Sequence, residues 1–336
     1  MSNIKSRMLE YLRLLRLQTG AATASAPLVG GLVMGQRDIS LLVVLFIIGL
    51  LYHIYGFVLN EYVDAEGDKK SSYLQKKPLV SGNILRKHAR FIIIVSCVCA
   101  CALTIVFFPT LLPILFLLLA LTLGGIYDVY GKKILGTDFI LGGSFFFICL
   151  SGASTVPYQL TSLAYIVCLL YFVQIVFNNA VEGGLKDVGH DFLAGAKTLA
   201  VRMGVKIKEE RLVITKMFMA FSYGLRIVFI ILLGLLFFQQ KIDLWSNKYV
   251  FHIVIVVFLA FILFFTLYRF LKPSKFDRSR LVKLFSVHEI SSYFMLLIVL
   301  SPLFGLQITM VLILLPSIWY LVFNVVLYGK LLQPQV

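Results

Sequence analysis

Residues 41–60 read LLVVLFIIGLLYHIYGFVLN, and residues 61–70 continue as EYVDAEGDKK. The first twenty contain no Asp, Glu, Lys or Arg, and as a helix they span about 30 Å, the thickness of a bilayer's hydrocarbon core. The next ten carry six charged side chains. Such a boundary marks a spanning helix as it leaves the membrane. Similar apolar blocks recur at 18–36, 40–60, 89–107, 110–127, 139–157, 161–181, 214–238, 249–271, 286–303 and 306–328. They predict an all-α, polytopic transmembrane helical bundle, with nine core spans and a tenth added to them. The ninth block is the weakest, because His288, Glu289, Ser291 and Ser292 lie near its start.

Composition agrees with this class. Of 336 residues, 60% are hydrophobic and 14% charged, whereas soluble domains carry about a quarter charged. The net charge of +15 suggests nucleic acid only until its distribution is examined. The basic residues sit between apolar blocks and form no domain of their own, so no nucleic-acid partner is expected. Residues 1–17 form an amphipathic, basic segment without a cleavable signal pattern. Five cysteines, Cys97, Cys99, Cys101, Cys149 and Cys168, lie inside apolar blocks and contain no CxxC pair, so they read as packing residues.

Orientation follows from Lys and Arg. If the N-terminus and the connections after even-numbered blocks share one side, that side receives 27 of the 31, and the other only Arg37, Lys241 and Lys248. The positive-inside rule makes the basic side cytoplasmic. The remaining cation, Arg226, lies within the seventh block and needs either a partner or a route by which to snorkel. The two long inner connections, 61–88 and 182–213, are expected to be cytoplasmic active-site loops. No linker divides the chain, so residues 1–336 read as a single membrane-embedded domain.

Both long connections open on acidic ladders. Asn60, Asp64 and Asp68 are spaced i, i+4, i+8, which places them on one helix face about 6 Å apart per step. After the sixth block, FNNAVEGGLKDVGHD repeats the step with Asp187 and Asp191. KKPLVSG follows the first ladder and GAKTLAVRMG the second, an internal echo with an offset of 123 residues between Asp64 and Asp187. The echo implies two pseudo-repeated four-helix units, which would bring the ladders face to face. Facing carboxylates near lipid repel and are costly to keep charged. Divalent cations relieve that cost, and Mg²⁺ favours a few carboxylates together with phosphates and water. A diphosphate therefore suits the site, with Lys69, Lys70, Lys76, Lys77, Lys186 and Lys197 nearby to complement its charge.

NxxxDxxxD after the second span and DxxxD after the sixth resemble the signatures of the UbiA superfamily of intramembrane polyprenyltransferases. LRLLRLQ, KKPLVSG, YDVYGKK with Asp138 and Gly142, and KTLAVRMG extend the resemblance over blocks one to seven. It implies Mg²⁺-dependent transfer of a polyprenyl group from a polyprenyl diphosphate to a lipophilic acceptor. By position it gives metal binding and catalysis to Asp64, Asp68, Asp187 and Asp191. It gives the diphosphate to Asn60, Arg16, Tyr127, Lys132 and Lys197, and the adjacent Lys77 and Lys186 are placed with them. The chain departs from the pattern at Tyr127-Asp128, where many members carry Tyr-Ser, and at Gly183-Gly184, which loosen the helix before Asp187.

For the acceptor, Lys186-Asp187 and the basic inner loops resemble the branch that prenylates geranylgeranylglyceryl phosphate in ether-lipid synthesis. An aromatic quinone precursor is the next choice. The alternative class is a cation-binding transporter or channel, which would place its carboxylates near the midplane on broken helices. A CDP-alcohol phosphotransferase would need a longer glycine-containing Asp signature, not found here. His190 reads as a solvated loop histidine, and His53, His252 and His288 as polar packing. Phe145 to Phe147 read as lipid-facing packing before tunnel lining.

Overall fold

The computed structural model describes residues 2–69, 74–157, 159–240 and 247–331. The architecture is helical, and each of the ten apolar blocks falls on a helix. The order is α1 (Ser2–Leu14), α2 (Gly20–Val33), α3 (Ile39–Asp68), α4 (Arg86–Phe107), α5 (Leu111–Tyr130), α6 (Thr137–Ala153) and α7 (Ser162–Phe177). A π turn, Asn178–Gly183, joins α7 to α8 (Gly184–Leu193). Then come α9 (Leu199–Arg202), strands β1 (Lys206–Lys208) and β2 (Arg211–Val213), α10 (Lys216–Gln239) and α11 (Asn247–Leu271). Strand β3 (Ser274–Lys275), α12 (Arg278–Phe304) and α13 (Leu306–Tyr328) complete the chain.

Among the described residues, eight helices are long and apolar enough to cross a membrane. The first and fifth blocks make shorter helices, α2 of 14 residues and α6 of 17. Large apolar side chains along α4, α11 and α13, such as Phe91, Phe258, Phe261 and Ile318, are exposed, as expected of an integral membrane protein whose solvent is lipid. The expected loops are partly helical: α3 runs on to Asp68, and α7 through α8 forms 32 helical residues ending at Leu193. The weak ninth block becomes α12, which turns its polar residues inward. His288, Ser291 and Ser292 are buried, with Thr266 Oγ1 2.8 Å from His288 Nδ1 and the serine hydroxyls bonded to carbonyls one turn back.

The chain divides into two compact units. The first comprises residues 1–129, 144–164 and 314–333. Here α2 packs on α3, and its small residues let backbones touch, as in many membrane helix pairs. A Cβ on Gly152 would fall within the backbone of Pro27, so α2 and the end of α6 meet there without side chains between them. The second unit comprises the described residues of 130–143 and 165–313. Its core joins Phe177, Leu185, Val188, Ala200, Phe218, Phe270 and Phe285. A small antiparallel sheet, β1-β2-β3, seats Leu212 in that core. The β1–β2 turn places Glu209 and Glu210 at φ 49° and 59°, the left-handed pair that a two-residue hairpin turn requires.

Candidate active site

The first acidic cluster grows from the length of α3. Asp38 caps its start, accepting from the Leu41 N–H, and the helix continues two turns past its apolar segment, far enough to carry Asn60, Asp64 and Asp68. Asn60 Nδ2 donates to Asp128 Oδ1 at 3.4 Å. The aspartate that departs from the Tyr-Ser pattern is therefore the partner of the first ladder residue, while Tyr127 beside it is half-buried.

Asp68 is buried and ion-paired, with Lys77 Nζ 2.8 Å from its Oδ2. The same Nζ lies 3.1 Å from Glu61 Oε1, which also accepts from Arg16 Nη2 at 2.6 Å. Arg16, Glu61, Lys77 and Asp68 thus form one chain of alternating charge, with Glu61 only 4% exposed. Arg16 sits where α1 breaks, at φ 45° and ψ 42°, a left-handed conformation that a non-glycine residue adopts at a cost. Its carbonyl is held by the buried His53, whose Nε2 lies 3.1 Å away. A carbonyl can only accept, so Nε2 carries the proton and Nδ1 accepts from Thr23 Oγ1 at 3.0 Å. His53, expected to be packing, holds the backbone that aims Arg16.

The second cluster lies on α8. Asp191 is buried, whereas the Asp187 side chain is 37% exposed. Arg278 Nη2, from the first turn of α12, is 3.2 Å from Asp187 Oδ1, and Lys186 Nζ is 3.6 Å from Oδ2. The Lys197 N–H donates to the Lys132 carbonyl at 3.0 Å, which brings together two of the cations expected at the diphosphate, both with exposed side chains. His190 is half-buried between the two aspartates. Arg226 has a partner and does not snorkel. It is wholly buried, donates from Nη1 to Gln174 Oε1 at 2.7 Å, and stacks 3.4 Å over the Phe177 ring.

Other expected lysines lie apart. Lys69 pairs with Glu66 at the surface, Lys76 is exposed, and Lys70 lies outside the described residues, as does Lys241. Glu61 and Arg278 are ion-pair partners of expected site residues that sequence reasoning missed. Glu61 could have been flagged as an acid adjoining Asn60. Arg278, 91 residues beyond Asp187, carries no local signal. Among the described residues no three His, Cys, Asp or Glu side chains converge on a metal position. Each helix end instead offers a pair of carboxylates, a donor set that suits Mg²⁺, which takes one or two carboxylates and completes its shell with phosphate and water.

The profile of the UbiA prenyltransferase family matches residues 24–288. The chain belongs to this family. It is a prenyltransferase, and the transporter reading is set aside. No curated protein matches the sequence. Among solved structures, a digeranylgeranylglyceryl phosphate synthase is similar at 18% identity and a TM-score of 0.65, over 90% of this chain and 100% of the other. A UbiA homologue from Archaeoglobus fulgidus bound to GPP and Mg²⁺ is similar at 17% identity and 0.60, over 86% and 99%. The apo UbiA homologue from Aeropyrum pernix K1 is similar at 12% identity and 0.67, over 85% and 98%. At these identities the likeness is one of fold, and it extends over nearly the whole length of each UbiA relative.

Proposed function

We propose that this prenyltransferase moves a polyprenyl group from a polyprenyl diphosphate to a lipophilic acceptor, with Mg²⁺ bound by Asp64 and Asp68 and by Asp187 and Asp191. The observation that carries the reading is the pairing of each acidic helix end with cations on neighbouring elements: Asp68 with Lys77, and Asp187 with Arg278 and Lys186. A carboxylate and a cation presented together suit a ligand that brings both negative oxygens and a metal. That Mg²⁺ accompanies GPP in the Archaeoglobus fulgidus homologue supports the same choice here. When bound, Mg²⁺ would screen the diphosphate and stabilise it as it leaves.

The protein's own groups do the rest. Arg16 and Lys77, already oriented by Glu61, hold diphosphate oxygens, and Asn60 is fixed by Asp128. On the second unit Arg278, Lys186, Lys132 and Lys197 are the cations offered to phosphate oxygens, and on the first Tyr127 offers a hydroxyl. The allylic carbon–oxygen bond breaks, and diphosphate departs with the electron pair. The acceptor oxygen or ring carbon bonds to the allylic carbon and passes its proton to the departing diphosphate. The apolar bundle excludes water from the electron-poor carbon.

The favoured acceptor is geranylgeranylglyceryl phosphate, because the basic inner loop after the second ladder, with Lys206, Lys208 and Arg211 exposed, adds cations beyond those given to the diphosphate that a phosphate-bearing acceptor would use. The similar fold of a digeranylgeranylglyceryl phosphate synthase is compatible with this choice. The N-terminus and both acidic helix ends are assigned to the cytoplasm on the distribution of Lys and Arg.

Purified protein in detergent would be given geranylgeranyl diphosphate, Mg²⁺ and, in turn, geranylgeranylglyceryl phosphate, 4-hydroxybenzoate and dihydroxynaphthoate, with EDTA as control. A Mg²⁺-dependent prenylated glyceryl phosphate supports the whole reading. An aromatic product replaces the acceptor, and turnover in EDTA removes the metal.

A further inference from the structure

The helix carrying Asp187 and Asp191 changes its winding just before it reaches them. Residues 178–183 form a π turn, which holds one residue more than an α turn and is rare, occurring frequently at functional sites. An α-helix advances about 100° per residue, so the fate of that extra residue decides which way α8 faces. As wound, Leu185 and Val188 are wholly buried in the second unit's core, and Asp187 stands half-exposed beside Arg278. Were the same residues to wind as a regular α-helix, α8 would rotate by about 100° about its axis. Leu185 and Val188 would leave the core, and Asp187 would enter it.

Side chains grip this turn from both ends. Arg226 on α10 stacks on Phe177, the last residue of α7, and donates to Gln174. Gln174 Nε2 donates in turn to Asn178 Oδ1 at 2.7 Å, at the first residue of the π turn. The next residue, Asn179, donates from Nδ2 to Asp138 Oδ1 at 2.6 Å. Beyond the turn, Gly184 lies so close to α9 that an added Cβ would stand 2.8 Å from Ala200 Cβ. Of the glycine pair that looked like loosening, Gly184 is the fit of the turn's far end, while a Cβ on Gly183 would make only ordinary contacts.

We infer that Arg226 is a positioning residue for the second acidic pair. Through Phe177, Gln174 and Asn178 it holds the π turn, whose extra residue sets the rotational register of Asp187 and Asp191. The inference rests on the proposal that these aspartates hold Mg²⁺ and diphosphate, but the register can be read without it. Val188→Cys would be introduced into protein whose five native cysteines are replaced by Ala, and its labelling by a water-soluble maleimide timed in detergent.

With Arg226 present, labelling is expected to be slow. In R226M it should accelerate at least tenfold, and the Mg²⁺ concentration that half-saturates geranylgeranyl diphosphate binding should rise about tenfold or more, the usual scale for groups that orient metal ligands. Arg226→Lys, which keeps the charge but loses the planar fork, should fall between, and serves in place of R226M if that variant fails to purify. Deleting Asn178 from R226M removes the surplus residue, so the helix can wind regularly with the aspartates in their present direction. Slow labelling and the original Mg²⁺ requirement should return.

Unchanged labelling and Mg²⁺ requirement in R226M would overturn the inference. So would fast labelling that the deletion leaves fast, since that marks general loosening. Labelling that changes as expected in a protein whose parent shows no Mg²⁺-dependent diphosphate binding would uphold the register and remove the metal reading instead.

Discussion

Glu61 stands one residue beyond Asn60, and its carboxylate is shared by Arg16 and Lys77. Removing it leaves two cations with no common counter-ion in a buried setting. Breaking a buried pair costs about 3–5 kcal/mol, so Glu61→Ala should lower the thermal unfolding midpoint and weaken diphosphate binding, whereas Glu61→Gln should do less to packing. An unchanged midpoint in Glu61→Ala would show that solvent screens the cluster. Asp64→Ala and Asp187→Ala should behave differently: each should fold like the parent and lose about 100-fold or more of turnover, the scale of a lost electrostatic contact at the reacting centre. Full activity in either, measured by product formation, would sink the site assignment. At this scale the sequence was informative where side chains share one helix, because spacing alone places Asn60, Asp64 and Asp68 on a face. It was silent on Arg278 and read His53 only as packing. Their partners lie 91 residues away at Asp187 and 37 away at Arg16, and only folding joins them.

Helices were legible in the same local way, since each apolar block became one, whether its ends were marked by charges or by Pro and Gly as at Pro109 and Gly305. The mismatches have physical causes. The first block is shorter as a helix because α1 ends at Leu14, Arg16 turns left-handed, and a short 3₁₀ turn intervenes before Gly20. The ninth looked weak because its polar residues lower its hydropathy, yet a helix buried among others can turn His288 and Ser292 inward and bond them. The π turn had no periodicity to betray it. It depends on Arg226 and Asp138, from other helices. Close helix contact makes a sharper prediction. With Gly152 against the backbone of Pro27, no rotamer can relieve an added Cβ. Gly152→Val should destabilise the first unit by roughly 1–3 kcal/mol or more, as overpacking does. A detergent melt would register the loss, and a parent-like midpoint would mean that α2 can move away from α6.

The whole molecule's orientation is carried by charge alone, because no backbone feature distinguishes one face of a membrane from the other. Under the proposed orientation, with 27 of 31 Lys and Arg on the cytoplasmic side, α3's end, α8's end and the β1–β2 hairpin would share that compartment, because short connections rich in Lys and Arg are retained there. A phosphorylated donor in that compartment would then reach both acidic helix ends without its charged head crossing the bilayer. Single cysteines at Lys76, Lys208 and Arg37, in protein lacking its native cysteines, would test this with a membrane-impermeant maleimide applied to intact cells. Arg37→Cys should label outright, and Lys76→Cys and Lys208→Cys only after the membrane is opened. Arg37 lies on the short connection between α2 and α3, where its guanidinium donates to the Leu32 carbonyl at 2.8 Å, so the reporter stands at a defined helix end. If Lys76→Cys labels in intact cells while Lys208→Cys does not, the acidic helix ends open to different sides. No single diphosphate could then serve both, and the proposed reaction would fail with the topology.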